Sequence, residues 1–253
     1  MFIDTHCHLD FPEFDADRDE VIARAKNAGI GYIINIGSSL QGSSKSLELS
    51  RQYDFIYAAI GLHPHEADKF NDEAKAAIEE LAGNDKVAAI GETGLDYYRN
   101  FSKAENQRVL FRYLVKKAGD LNLPLVIHSR QAQEETLKIL NEHRPIKAVV
   151  HCFSGDEDFL KECLGFGFFI SFTCNISYKK ARDLRAIVKL TPLDRLMLET
   201  DAPFLPPEGF RGKRNEPAYV RILAEEIARI KEITFEEVAR ITTDNAKMFF
   251  NLK

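Results

Sequence analysis

Two histidines one residue apart, His6 and His8, close the apolar run that opens with Phe2 and Ile3. In an extended strand alternate side chains share a face, so both imidazoles can reach one cation. Taken alone, the pair reads equally well as a polar strand end satisfied by hydrogen bonds. Five further segments alter the balance, each following a short apolar run: Gly61-Leu62-His63-Pro64-His65, Gly91-Glu92-Thr93-Gly94-Leu95-Asp96, His128-Ser129-Arg130, His151-Cys152-Phe153-Ser154-Gly155 and Glu199-Thr200-Asp201-Ala202-Pro203. Of the 7 histidines, six stand at such ends and only His143 falls inside an expected helix. Collecting so many titratable groups in one place is costly unless a cation compensates them, and imidazoles and carboxylates arriving from separate strands are what a divalent site needs.

The elements that must position these residues alternate along the chain. Strands are expected at Phe2 to His6, Gly31 to Ile36, Phe55 to Ile60, Lys86 to Ile90, Pro124 to Ile127, Ala148 to Val150, Phe168 to Ser171 and Arg195 to Leu198. Amphipathic helices are expected at Arg18 to Ala28, Ser43 to Gln52, Glu73 to Ala82, Lys103 to Leu121, Gln133 to His143, Glu157 to Leu164 and Ala181 to Lys189, with further helices from Pro217 and Phe235. Strict alternation argues for a parallel sheet covered by helices. An open doubly wound sheet would usually carry a glycine-rich phosphate loop after a strand, and none is present. Eight units, with polar residues at nearly every strand end, favour a (β/α)8 TIM barrel of the α/β class, whose chemistry collects at the C-terminal ends of its strands.

The 253 residues, 45% hydrophobic and 29% charged, show no composition break, so a single barrel domain over 1–253 is expected. Neither a leader-like start nor a membrane-length apolar run is seen, which points to a cytoplasmic protein with no membrane partner. The 4 cysteines lie far apart, against a zinc ribbon or a disulfide framework. Cys7 and Cys152 flank candidate ligands but point to the opposite strand face, where packing is the expected role. Ser129 and Ser154 belong to no nucleophile elbow and read as hydrogen-bonding loop residues. A net charge of −5 excludes a broad basic surface, so any nucleic acid must be held locally.

Taken with Phe2-Ile3-Asp4-Thr5-His6-Cys7-His8-Leu9, the strand-end segments resemble, over essentially the whole chain, the TatD-type metal-dependent deoxyribonucleases of the metal-dependent hydrolase superfamily. The resemblance implies a two-metal site: His6, His8, Glu92 and Asp201 hold one ion, and Glu92 also reaches a second held by His128 and His151. A carboxylate suits the bridging place because its two oxygens can serve two cations. Related amidohydrolase barrels often place a carboxylated lysine there, and no lysine ends the fourth expected strand, which turns the expectation from cyclic amides and phosphotriesters towards phosphodiesters. Glu92 and Asp201 are the expected catalytic residues, Asp201 also accepting a proton from the attacking water. The implied reaction is DNA hydrolysis, as a 3′–5′ exonuclease on single strands, with no obligate protein partner evident. Imidazole-rich ligation suits zinc, manganese or nickel, whereas magnesium prefers oxygen ligands, although the resemblance allows activity with magnesium.

Substrate contacts are expected from His63, Arg130, Arg211 and Lys213. His63 is either a phosphate donor or an orienting residue beside the ligands, and His65 leans towards a loop role. Arg130, two residues past His128, could clamp a phosphate through its planar fork, or pair with Asp96. The segment Pro206 to Asn215 carries Arg211, Lys213 and Arg214 with Phe210, a composition that can hold a single strand or merely be a solvated loop. Two other functions stay open at this level: hydrolysis of an amide, lactone or phosphomonoester on the same metals, and a non-catalytic scaffold stabilised by metal.

Overall fold

The structure, a computed structural model, describes residues 1–145 and 147–252. Eight strands among them, β1 (Phe2–Cys7), β2 (Ile30–Ile36), β3 (Ile56–Ile60), β4 (Val87–Asp96), β5 (Leu125–Arg130), β6 (Ala148–Val150), β7 (Phe169–Phe172) and β8 (Leu196–Leu198), lie in one sheet in chain order. Helices α1 (Arg18–Asn27), α2 (Leu40–Gln52), α3 (Asp72–Ala82), α4 (Ala104–Leu121), α5 (Gln133–Glu142), α6 (Glu157–Gly165) and α7 (Arg182–Leu190) alternate with them, and α8 (Val220–Lys231) and α9 (Phe235–Phe250) follow β8. Sequential strand order with β1 beside β8 is the topology of a (β/α)8 barrel. The chain forms two compact units, Met1–Asn35 with Ile170–Lys253, and Ile36–Phe169.

In the first unit, β1 runs parallel to β2 with Asp4 opposite Ile33 and Cys7 opposite Asn35, and β7 runs parallel to β8 with Ile170 opposite Leu196. The first strand also meets the last. The His8 N–H donates to the Ala202 carbonyl at 2.7 Å, the Asp201 N–H to the His6 carbonyl at 2.8 Å, and the Thr5 hydroxyl to the Leu198 carbonyl at 3.0 Å. Helix α9 begins on a reciprocal cap, in which Thr234 accepts from the Glu237 N–H and Glu237 accepts from the Thr234 N–H, so two otherwise orphaned donors are satisfied. Its Thr243 hydroxyl holds the Met1 carbonyl at 3.0 Å, and Phe235 packs on Phe2 with ring centroids 5.2 Å apart.

In the second unit, β4 is flanked by parallel β3 and β5, and all ten of its residues are buried. It continues six residues past the Ile90 expected as its end, and β5 likewise runs on to Arg130. Side-chain polarity suggested loops there, but the ladder is made by backbone groups and continues through Thr93–Ile127, Gly94–His128 and Asp96–Arg130. Helix starts are capped by Ser39, Asn71 and Asp156, whose side chains accept from Gly42, Ala74 and Phe159. In the first unit, Pro217 opens a short 3₁₀ turn rather than the helix itself, which starts at Val220.

One glycine lets β4 pass tightly beside β5. Gly94 has φ +145°, and a Cβ there would run into the carbonyl of His128. Gly119, on α4, has no atom within 4 Å of an added Cβ. Gly94→Ala is therefore expected to lower the unfolding free energy by at least about 2 kcal/mol, combining left-handed strain with a backbone clash. Gly119→Ala should instead be neutral or stabilise by up to about 1 kcal/mol. Urea unfolding of both variants checks the pair, and equal midpoints would contradict it.

Candidate metal centre

Strand alternation sets the first cluster, as expected. His6 and His8 leave β1 and its end on one face, with their Nε2 atoms 3.2 Å apart. Asp201 Oδ1 lies 3.7 Å from His6 Nε2 and 3.5 Å from His8 Nε2. Two imidazole nitrogens at that separation can share at most one proton, and a carboxylate facing both makes the set suited to a cation. Asp201 reaches it with φ +56°, a left-handed conformation that aspartate tolerates better than most residues.

This geometry is held by Asp4. Its carboxyl, wholly buried, accepts from the Thr200 N–H at 2.9 Å and pairs with the Thr200 hydroxyl at 2.6 Å, tying the chain after β8 to β1. Burial, the dominant influence, pushes the Asp4 carboxyl up to about 8 against the lowering effect of these bonds. Asn215 fixes the following loop by donating to the carbonyls of Thr200 at 2.8 Å and Phe204 at 2.6 Å. Glu199, also buried, accepts from Ser171 at 2.6 Å.

The second cluster centres on Glu92. Its Oε1 stands 2.6 Å from His151 Nε2, 2.8 Å from His128 Nδ1 and 3.5 Å from His63 Nε2. His63, Glu92 and His128 each present a donor atom within 4.8 Å of one another, in a pattern able to hold a metal ion. Burial alone would raise the Glu92 pKa, but the imidazoles of His151, His63 and His128 hold it well below the usual carboxylate range. Burial pushes His63 well below the ordinary histidine value.

Asp96 plays a part that its type and position did not announce. Rather than pairing with Arg130, it turns Oδ2 to His65 Nε2 at 2.9 Å and to His128 Nε2 at 3.5 Å. Oδ1 accepts the N–H groups of Tyr98 and Arg99, both at 2.9 Å, while Gln107 from α4 brackets the Asp96 backbone from both sides. His128 is thereby oriented with Nδ1 towards Glu92, the kind of support that ligating histidines usually receive from a carboxylate. The period of two on β4 places Glu92, Gly94 and Asp96 on one face, and that was the available signal. His65, expected as a loop residue, lies on a 3₁₀ turn after β3 and is anchored in this network.

The expected substrate residues divide. Arg130 lies with its guanidinium carbon 4.1 Å from the centroid of the Tyr98 ring. Arg211 and Lys213 are exposed, Arg211 over Tyr178 at 4.6 Å and Lys213 5.9 Å from the Phe210 ring. Phe210 packs on Tyr219 at 4.6 Å. Arg214 is committed to ion pairs with Asp17 at 2.7 Å and Glu216 at 3.2 Å, which makes it a loop anchor. Cys7 is buried, with its sulfur against the Ile34 carbonyl and Asn35, and burial pushes its thiol up, consistent with packing. No helix among the described residues is long and apolar enough to cross a membrane.

Residues 3–251 match the family described as TatD related DNase. The chain is 44% identical over 254 residues to an uncharacterised metal-dependent hydrolase, YabD, of Bacillus subtilis, each chain being covered completely. It is 38% identical over 257 residues, 98% of this chain and 99% of the other, to a protein of Erwinia tasmaniensis named 3′–5′ ssDNA/RNA exonuclease TatD. The crystal structure of YjjV, a TatD homologue from Escherichia coli, superposes with a TM-score of 0.94 at 33% identity, covering 100% of this chain and 98% of that one. With imidazoles and carboxylates gathered at its strand ends as such a fold requires, the chain belongs to the TatD related DNase family and is a metal-dependent hydrolase.

Proposed function

We propose that this protein is a deoxyribonuclease that hydrolyses DNA phosphodiesters, from the 3′ end of single strands, at a centre of two divalent cations. The observation that carries the reading is the buried Glu92 carboxylate with imidazole nitrogens of His151, His128 and His63 within 3.5 Å of one oxygen. Its second support is the relative named as a 3′–5′ exonuclease on single-stranded DNA and RNA. His6, His8 and Asp201 would hold one ion and His128 and His151 the other, with Glu92 able to serve both; that division rests on the family resemblance and on the two-oxygen chemistry of a carboxylate. Zinc or manganese suits these ligands, and magnesium is the oxygen-preferring alternative.

Bound cations would supply Lewis acidity to the diester and make water a competent nucleophile near neutral pH. The protein's own groups do the rest. Asp201, partly open to solvent at 15% side-chain exposure, accepts the proton of the attacking water. His63, kept neutral by burial, can donate a ring N–H to a phosphate oxygen. Arg130 offers a fork of N–H groups two residues beyond a ligand. A single domain over 1–253 is part of this reading.

End-labelled single-stranded DNA, given chelator-treated protein reloaded with zinc, manganese or magnesium, should shorten from its 3′ end faster than a duplex. Glu92→Ala and Asp201→Ala should each lower turnover at least about 100-fold. Near-normal activity of metal-loaded Asp201→Ala would remove its proton-accepting role. Turnover of an amide or lactone with no nucleic acid cleaved would overturn the reading.

The metal-free centre should also bind cations in exchange for protons. Burial opposes charge on His128, but hydrogen bonds to Asp96 and Glu92 raise its pKa above the ordinary 6.5. That raised pKa stabilises the metal-free fold below the unfolded-state value and the contribution is lost as pH rises through the folded one; a cation must displace the same proton. Calorimetry in buffers of different ionisation enthalpy should show proton release, and affinity rising as pH climbs above the ordinary histidine range. A pH-independent affinity would contradict this.

The loop after β8 gives a separate expectation. Replacing Arg211 and Lys213 by alanine should weaken binding of a single strand and flatten its dependence on salt, by roughly 0.7 in log–log slope for each phosphate that is no longer neutralised. Arg214→Ala should act on stability as well, because its ion pairs hold the loop. An unchanged slope for the Arg211, Lys213 variant would count against a role for these cations in holding the strand.

A further inference from the structure

Directly after β4 the chain exposes two large aromatic rings that the core does not use. Tyr98 is 53% exposed and Phe101 is 67% exposed. Both are tied to the Glu92 cluster by short links. The Tyr98 N–H donates to Asp96 Oδ1, and Asp96 Oδ2 faces His128. Phe101 meets the His65 ring edge-on, with centroids 4.8 Å apart, and His65 in turn bonds Asp96.

Cations accompany the rings. Arg130, from the strand that carries His128, lies 4.1 Å from the Tyr98 centroid, and Arg99 lies 5.7 Å from it. Exposed apolar rings are a liability unless something covers them. Aromatic faces beside guanidinium groups are what a single strand requires, since bases stack on rings whatever their sequence and the phosphates between them seek positive charge. A duplex keeps its bases stacked inside and offers nothing for such rings to grip. The segment is short and pinned: Asp96 accepts the Tyr98 and Arg99 N–H groups, and the Ser102 hydroxyl donates to the His65 carbonyl at 2.6 Å, so the rings are presented by fixed backbone.

We propose that Tyr98 and Phe101 form a base-stacking subsite for a single-stranded nucleic acid, with Arg130 and Arg99 receiving the adjoining phosphates, so that the strand is seated beside the Glu92 cluster. The inference rests on the nuclease reading and adds to it the feature that selects unpaired strands. Stacking on bases is sequence-tolerant, and it fails when the ring is removed even if apolar bulk is kept.

The test uses full-length, metal-loaded protein and two substrates, a single-stranded oligonucleotide carrying 2-aminopurine and the small diester bis(p-nitrophenyl) phosphate. Phe101→Leu and Tyr98→Leu should each raise KM for the oligonucleotide about 5- to 100-fold. Each should leave the small diester unaffected, and Phe101→Tyr should restore the wild-type value. Quenching of 2-aminopurine fluorescence on binding, read with chelator-treated protein so that no cleavage intervenes, should be present in the wild type and absent in the double leucine variant. Unchanged KM and quenching in the leucine variants would overturn the subsite while leaving the nuclease reading intact. Wild-type protein that cleaves no nucleic acid, with quenching that disappears in those variants, would do the reverse.

Discussion

A carboxylate that is almost entirely removed from water must be compensated where it stands, and Glu92 sets that requirement for the strands around it. An unpaired buried charge costs several kcal/mol, which is why three imidazoles converge on one of its oxygens. Imidazoles can converge only if their strands approach closely, and here β4 meets β5 at Gly94, where any side chain would strike the His128 carbonyl. The orientation of His128 then depends on Asp96, and Asp96 depends on Gln107 of α4. One electrostatic constraint therefore reaches from the site to the helix that covers it.

The other unit meets the same demand with a different device. There the candidate ligands His6, His8 and Asp201 come from the two ends of the chain, Asp201 lying 193 positions after His8. Local propensity cannot bring such residues together. The buried pair of Asp4 with Thr200 does, by converting the edge of β1 into a docking point for the chain after β8, and the backbone bonds of Asp201 and His8 complete the attachment. A polar group buried at 0% exposure is costly, and the structure offsets the cost with hydrogen bonds that also fix a candidate ligand.

Much of this was legible in the chain. Period-two spacing identified the shared face of His6 and His8, and the alternation of short apolar runs with amphipathic segments located all eight strands, six of them ended by histidine or carboxylate. What escaped was whatever depends on partners distant in sequence or on the backbone alone. Polar side chains hid the continuation of β4 and β5, because a ladder of N–H and C=O groups takes no account of them. Arg214 read as one cation in a basic loop, yet its partner Asp17 lies 197 residues earlier. Asp96 looked like a mate for Arg130 by charge, but its position on the face of Glu92 made His128 and His65 the nearer claimants. Charge type predicts that a partner exists; only geometry names it.

The overall charge of −5 then bears on the proposed substrate, because an acidic protein must hold a polyanion locally. Of the cations in the loop after β8, Arg214 is already neutralised by Asp17 and Glu216. Under the proposed reading each divalent ion would bring two positive charges, and histidines, being neutral as ligands, would cancel none of them. A loaded centre would then offer a phosphate local positive charge on a chain whose overall charge is negative. On this account the aromatic rings after β4 supply the uncharged part of the grip on a strand, which an acidic surface does not oppose and which does not depend on the cations.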